Sequence, residues 1–189
     1  MKFRIGTTLA ALAFNLAAHA AAPEDTLVIK LKDGDVKIAL RPDLAPKHVA
    51  QIKALSKKGF YDGVVFHRVI DGFMAQTGDG QFGDSDGNLD MNAAGTGASD
   101  MPNIPAEFSK EPFVRGTVGM ARSQDPKSAN SQFFIMFAPG DFLTGQYTVV
   151  GQVETGMELV DKIKKGDQNN NGSVADPDKM ISVKTAADK

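Results

Sequence analysis

Apolar and polar residues alternate twice near the start of the chain, over Leu27 to Leu31 and Val36 to Leu40, with Asp33-Gly34 between the two runs. Alternation with period two buries one face of a strand, and Asp-Gly between such runs is a strong hairpin signal. From Pro46 to Lys58 the period changes: Val49, Ile52 and Leu55 recur at helical spacing beside Ala45 and Ala50, and Gly59 is placed to end the helix. Shorter strand-like runs follow at Val64 to Ile70, Phe73 to Gln76, Gly116 to Ala121, Gln132 to Phe137 and Thr148 to Val153. A second helical pattern spans Gly156 to Lys165, with Met157, Val160 and Ile163 as its buried positions and Gly166 as its stop; Lys179 to Thr185 supplies a last strand. Many strands with only two short helices predict a mainly β fold, an antiparallel barrel or sandwich, rather than alternating βαβ units.

Residues 77 to 107 break the pattern with a stretch rich in Gly, Asp and Asn, which promises little core. Loops of this length inside a domain are usually functional or mobile. A second irregular segment, Arg122 to Ser131, leads into S-Q-F-F-I-M-F, Ser131 to Phe137. Alternation puts Gln132, Phe134 and Met136 on one face of that strand and Phe133, Ile135 and Phe137 on the other. Both faces are apolar, so the strand is either covered on both sides or turns one face toward an exposed apolar groove.

The first 20 residues do not read as part of the domain. Lys2 and Arg4 precede a largely apolar stretch, Ile5 to Ala18, and Ala18-His19-Ala20 has the small-x-small form of a signal-peptidase site. A secretory signal over residues 1–20 is therefore expected, cleaved after Ala20 with Ala22 as the alternative, leaving one domain over 21–189. The apolar stretch is shorter than the roughly 20 residues a membrane span takes, so no span is expected after signal removal. A bacterial periplasm is the simplest destination. With no cysteine in the chain, stability has to come from packing alone. Formal charge is −2, and −4 without Lys2 and Arg4, which argues against nonspecific nucleic-acid binding.

One charge stands out because of its surroundings. Arg68 lies among Val65, Phe66, Val69 and Ile70, and a guanidinium stays protonated and is rarely buried without a partner. Spacing alone favours a strand arginine whose stem packs while its head reaches solvent; the other reading is a cation displayed for use. His48 is expected on the exposed side of the first helix, with no companion ligand at i+4. Once the signal is removed, only His48 and His67 remain, neither in a nucleophile motif, so a hydrolase triad finds no support.

Asp167, Asn169, Asn171, Gly172, Val174 and Asp178 fit much of a calcium loop, with oxygen ligands at positions 1, 3, 5 and 12. Against that stand Ala175 at position 9, the stiff Pro177 and Asp in place of a final Glu; a polar helix-to-strand loop is the simpler reading. Asp84, Asp86 and Asp90 form a weaker cation candidate.

Taken together, F-H-R-V-I-D-G-F-M-A-Q-T-G-D (Phe66 to Asp79), G-M-A-R (Gly119 to Arg122), S-Q-F-F-I and D-F-L-T-G-Q-Y-T-V-V-G-Q-V (Asp141 to Val153) resemble the cyclophilin-type peptidyl-prolyl cis/trans isomerases. The resemblance runs from Thr26 to about Lys184, with several motifs in order. It implies a closed eight-stranded antiparallel β-barrel capped by two α-helices, with the active groove on the outer surface. It further implies Arg68 as the catalytic residue, Gln76 and Gln132 as bordering polar groups, and Phe73, Met74, Phe134 and Leu143 as the proline pocket. Ala121 and Arg122 would offer backbone to a peptide, Phe142 and Tyr147 would wall the groove, and His67 would support.

The expected partners are proline-containing polypeptides and unfolded exported proteins, bound by a monomer that needs no cofactor or metal. The alternative is a proline-peptide-binding chaperone or scaffold with little dependence on turnover. Three positions depart from the family's pattern: Phe142 stands where many eukaryotic members have tryptophan, Tyr147 where some members have histidine, and Arg122 where asparagine is common in those members. Loss of the indole N–H predicts weak cyclosporin binding at most.

Overall fold

The computed structural model describes residues 21–188; the expected signal segment lies outside them. The predicted hairpin forms first, β1 (Thr26–Leu31) and β2 (Gly34–Leu40), paired antiparallel from Thr26 opposite Ala39 to Leu31 opposite Gly34. Helix α1 (Pro46–Lys57) follows and lays Val49, Ile52 and Leu55 against the sheet. The remaining strands are β3 (Arg68–Ile70), β4 (Met74–Thr77), β5 (Thr117–Met120), β6 (Phe133–Met136), β7 (Val149–Thr155) and β8 (Ser182–Thr185). They join into one eight-stranded antiparallel sheet in the order β3-β4-β6-β5-β7-β2-β1-β8.

The sheet curls into a half-barrel but does not close, which corrects the closed barrel expected from the resemblance. Its edges are β3 and β8. Between them run single backbone bonds rather than a ladder: Phe66 N–H to Asp178 O at 2.9 Å, Met180 N–H to Val64 O at 2.9 Å, and Val69 N–H to Gly172 O at 2.8 Å. The chain before β8 cannot continue as a strand, because Asn171 and Asp176 take left-handed backbone with φ of 51° and 52° and Pro177 has no N–H to give.

Two further expectations change. The second helix, α2, covers only Met157–Val160; Val160 and Ile163 are buried as expected, but the chain unwinds after one turn. His48 is not on the surface. It is 0% exposed, its Nδ1 lies 2.7 Å from Glu107 Oε2, and Glu107 also accepts the N–H groups of Lys47 and His48 at 3.1 Å. The far end of the long loop thus folds back to cap α1, whose own N-cap, Ala45, has no side-chain acceptor. Burial pushes the Glu107 carboxyl up, but the His48 ring and the two backbone donors outweigh it and hold the group below its ordinary value.

Strand alternation produces two apolar clusters. Phe133, Ile135 and Phe137 join β1, β2, β7 and α1 in the main core, while Phe134 and Met136 join Met74, Phe113, Leu143 and Val149 in a second cluster on the other face of β6. Register aligns the same faces across neighbouring strands. Val69, Ala75, Ile135 and Val118 form one row and point into the core. The adjacent row, Arg68, Gln76, Phe134 and Gly119, crosses the same four strands with the opposite orientation. Gly119 is required there: a Cβ would stand 2.5 Å from the Phe134 ring and 2.7 Å from that of Phe113.

Candidate active site

The row that begins with Arg68 forms one side of an outward-facing groove of about 330 Å³. Arg68, Phe73, Met74, Gln76, Ala121, Arg122, Phe134, Phe142, Leu143 and Tyr147 line it. Met74, Phe134 and Leu143 are buried and make an apolar floor. Phe134 stacks on Phe113 with centroids 5.9 Å apart and meets Tyr147 edge-on at 5.8 Å, so its ring is fixed from two sides. Phe142 is the opposite case, 70% exposed on the rim with its ring 5.7 Å from Phe73.

Arg68 is held by neutral oxygens. Nε donates to Asn171 O at 3.0 Å, Nη2 to Asn171 Oδ1 at 3.0 Å, and Nη1 to Gln76 Oε1 at 3.2 Å. Of its five N–H bonds three go to oxygens and a second one on Nη1 turns toward Met74 Sδ, which leaves one on Nη2. Nη1 also lies 3.9 Å from Met74 Sδ, which puts the cation directly against the apolar floor. Burial lowers the Arg68 pKa from the usual arginine value and Tyr147 works against that shift; the group remains a cation.

The polar edge continues as a relay. Gln76 Nε2 donates to Gln132 Oε1 at 3.0 Å, and Gln132 Nε2 donates to Gly97 O at 2.9 Å. Gln132 therefore borders a neighbouring recess of about 460 Å³ rather than the groove itself. Gly97 is fixed in turn by Asp79. That carboxylate is 0% exposed and accepts the N–H groups of Gln81, Phe82, Gly95 and Gly97 at 3.1, 3.0, 2.7 and 2.9 Å. Four backbone donors on one buried acceptor organise the first half of the long loop, which is structured and not a free tether.

Arg122 stiffens the opposite wall. Its guanidinium stacks 4.5 Å from the Tyr147 centroid and donates through Nη2 to Gln146 O and through Nη1 to Ser123 O, both at 2.8 Å. Ala121 gives its N–H to Gln132 O, so its carbonyl is the backbone group it can offer a ligand. His67 faces away from the groove and is buried, with neither ring nitrogen hydrogen-bonded. Burial brings its pKa down to about 4; Asp79 opposes the shift and Arg68 adds to it.

The calcium-loop candidates do not converge. Asp167 Oδ1 accepts Asn169 N–H at 2.9 Å, Asn171 Oδ1 accepts Arg68, and Asp178 takes Lys32 Nζ at 2.7 Å and Lys164 N–H at 2.8 Å. Burial pushes Asp178 up, but those hydrogen bonds prevail and hold it below its ordinary value. Among the described residues, no three His, Asp or Glu side chains gather as a metal would require. A separate cleft of about 390 Å³, between Leu31, Leu159, Ile163 and Ile181, has apolar walls, yet Lys32 and Lys179 at its rim are paired with Asp178 and Asp86.

A family profile described as cyclophilin type peptidyl-prolyl cis-trans isomerase/CLD matches residues 26–185. The chain belongs to the cyclophilin-type isomerase family. Relatives agree with that membership along most of the chain. A probable peptidyl-prolyl cis-trans isomerase of Brucella suis is 67% identical over 171 residues, covering 90% of this chain and 87% of that protein. Peptidyl-prolyl cis-trans isomerase A of Dickeya dadantii is 36% identical over 189 residues, covering 95% and 92%. Among solved structures, cyclophilin AquaCyp293 from Hirschia baltica superposes with a TM-score of 0.72 at 25% identity, covering 90% of this chain and 77% of that one. A Cryptosporidium parvum cyclophilin type isomerase, crystallised in the presence of the dipeptide Ala-Pro, gives 0.71 at 25% identity, covering 85% and 98%. This cyclophilin is an isomerase.

Three contributors escaped the sequence reading: Asp79, Gly97 and Phe113. Asp79 had one local signal, since its acceptor contacts at Gln81 and Phe82 form a turn two and three residues on. Gly97 and Phe113 are brought in by the fold alone.

Proposed function

We propose that this cyclophilin accelerates rotation about X-Pro bonds in polypeptides exported to a bacterial periplasm, with Arg68 donating a hydrogen bond to the proline nitrogen. Rotation faces a barrier of about 18–20 kcal/mol because the amide nitrogen shares its lone pair with the carbonyl. Catalysis requires only that the twisted amide be bound better than either planar isomer. The pyrrolidine ring sits on Met74, Phe134 and Leu143, and the nitrogen lone pair, localised as the amide twists, meets a fixed guanidinium donor. Gln76 orients that donor, and Phe142, Tyr147 and the Ala121 carbonyl guide the flanking chain.

The observation that carries this reading is the guanidinium of Arg68, tethered to oxygens on three N–H bonds, paired with no carboxylate among the described residues, and set against an apolar floor with an N–H of Nη2 to spare. The exported location rests on the basic start, apolar stretch and A-H-A site of residues 1–20. The Ala-Pro dipeptide used with the Cryptosporidium protein fits the same substrate class. Cyclosporin binds weakly at most, since Phe142 offers no N–H.

A protease-coupled peptide assay tests the mechanism. Arg68→Ala is expected to keep the fold and lose about 10²–10³-fold in kcat/KM, the usual loss for a key transition-state donor. Undiminished turnover in that variant sinks the arginine mechanism, and proline-peptide binding without turnover in the wild type would favour a scaffold instead.

A further inference from the structure

We infer that Asn171 is the positioning residue for Arg68, and that the segment resembling a calcium loop serves this cyclophilin as a clamp on its catalytic cation. The inference rests on the assignment of Arg68 as the catalytic donor.

Arginine carries a long side chain with several rotatable bonds, and β3, on which it stands, is a three-residue edge strand. Left alone, such a cation samples many orientations and gives little directed stabilisation. Asn171 removes that freedom. Its main-chain oxygen takes Nε and its side-chain oxygen takes Nη2, each at 3.0 Å, so one residue 103 positions away grips the fork of the guanidinium. A carboxylate would make the same two-point contact. The difference is charge: both oxygens of Asn171 are neutral, so the cation is oriented without being neutralised.

The loop is built to present those oxygens. It wraps Val69, the neighbour of Arg68, by donating Gly166 N–H to Val69 O at 2.8 Å and accepting Val69 N–H at Gly172 O at 2.8 Å. Asp167 closes the turn from below, accepting Asn169 N–H on its side chain and Gly172 N–H on its carbonyl at 2.9 and 2.8 Å. Gly172 packs so closely on β3 that a Cβ would lie 2.5 Å from Ile70 Cγ1. Asn171 itself has φ 51° and ψ 28°. Asparagine suits this position doubly, because it enters left-handed backbone at low cost and still carries an oxygen.

That coincidence supplies a clean variant. Asn171→Gly keeps the left-handed backbone and the main-chain acceptor but deletes Oδ1. Measured by exchange NMR on a proline peptide, it is expected to lower kcat about 5–20-fold with peptide affinity unchanged within about twofold, a loss in the range expected for misorienting a donor. Asn171→Asp keeps both oxygens and adds a charge; it is expected to lower kcat as well, through pairing with Arg68. In the Arg68→Ala background neither change is expected to cost anything further.

The outcomes separate. If Arg68→Ala loses activity while Asn171→Gly turns over like wild type, the clamp is refuted. If Asn171→Gly slows the Arg68→Ala enzyme by the same factor as the wild type, Asn171 acts through general structure and the inference falls. If Arg68→Ala is itself fully active, the catalytic assignment fails first. A loss confined to kcat and absent from the Arg68→Ala background supports the clamp.

Discussion

Asp79 accepts the N–H of Gly97 at 2.9 Å, and through that bond a carboxylate sealed from solvent sets one end of the polar edge beside the groove. Gly97 O receives Gln132, Gln132 receives Gln76, and Gln76 receives Arg68, so an uninterrupted chain of oriented donors joins the interior of the long loop to the Arg68 guanidinium. Each amide in the chain has its oxygen and nitrogen assigned by its neighbours.

Asp79→Ala would strand four backbone N–H groups around a buried void. Urea unfolding is expected to show a loss of about 3 kcal/mol or more, since each unsatisfied buried donor costs about 1–3 kcal/mol. Turnover should fall even where the variant is still folded, because Gly97 is freed and Gln132 loses its anchor. A variant with wild-type stability would show that the loop is held by other contacts.

His67 makes stability depend on pH. Burial keeps its folded pKa near 4, against about 6.5 for an ordinary imidazole, so the unfolded chain takes up a proton first as pH falls. Its contribution is fully present above pH 6.5, declines as pH drops from about 6.5 to about 4, and is gone below both values. The size is on the order of 3 kcal/mol. Glu107 and Asp178, both held below their ordinary values, keep their contributions above the carboxylate range and lose them only at lower pH, so pH 5 to 6.5 isolates the histidine. Unfolding midpoints of the wild type should fall across that interval, and those of His67→Asn should stay flatter; parallel slopes would refute the assignment.

Phe142 is expected to affect ligand preference rather than stability. At 70% exposure, its replacement by alanine is expected to move stability by less than about 0.5 kcal/mol while raising KM for proline peptides several-fold. Phe142→Trp restores an indole donor on the rim. One added hydrogen bond is worth about 0.5–1.5 kcal/mol, so cyclosporin affinity by calorimetry should rise by up to about tenfold. Unchanged affinity would mean that the rim position does not limit that ligand.

Much of the site was legible because alternation is a local property. The two faces of Ser131 to Phe137 follow from period two, and they are the two faces that separate the core from the groove. The F-H-R, G-M-A-R, S-Q-F-F-I and D-F-L motifs contain the ten residues that the fold gathers around one opening. His48 shows the limit. Its burial depends on Glu107, 59 residues away, and nothing near His48 in the chain announces that partner. The second helix fell short for a related reason: Ile163 is buried as its spacing requires, but an irregular turn can bury it as well as a helix can.

The sequence by itself determined which segments become strands, which side of each is apolar, and that a permanent cation sits beside an apolar run, because periodicity, turn chemistry and side-chain charge act over a few residues. Only the tertiary structure decided that Arg68, Gln76 and Phe134 fall in one cross-strand row, that the sheet stays open between β3 and β8, and that Asn171 and Gly97 supply the oxygens of the polar edge. Register and hydrogen-bond partners are fixed when distant segments pack together. Their acceptors are main-chain and amide oxygens that every sequence contains, and only position in space makes them specific.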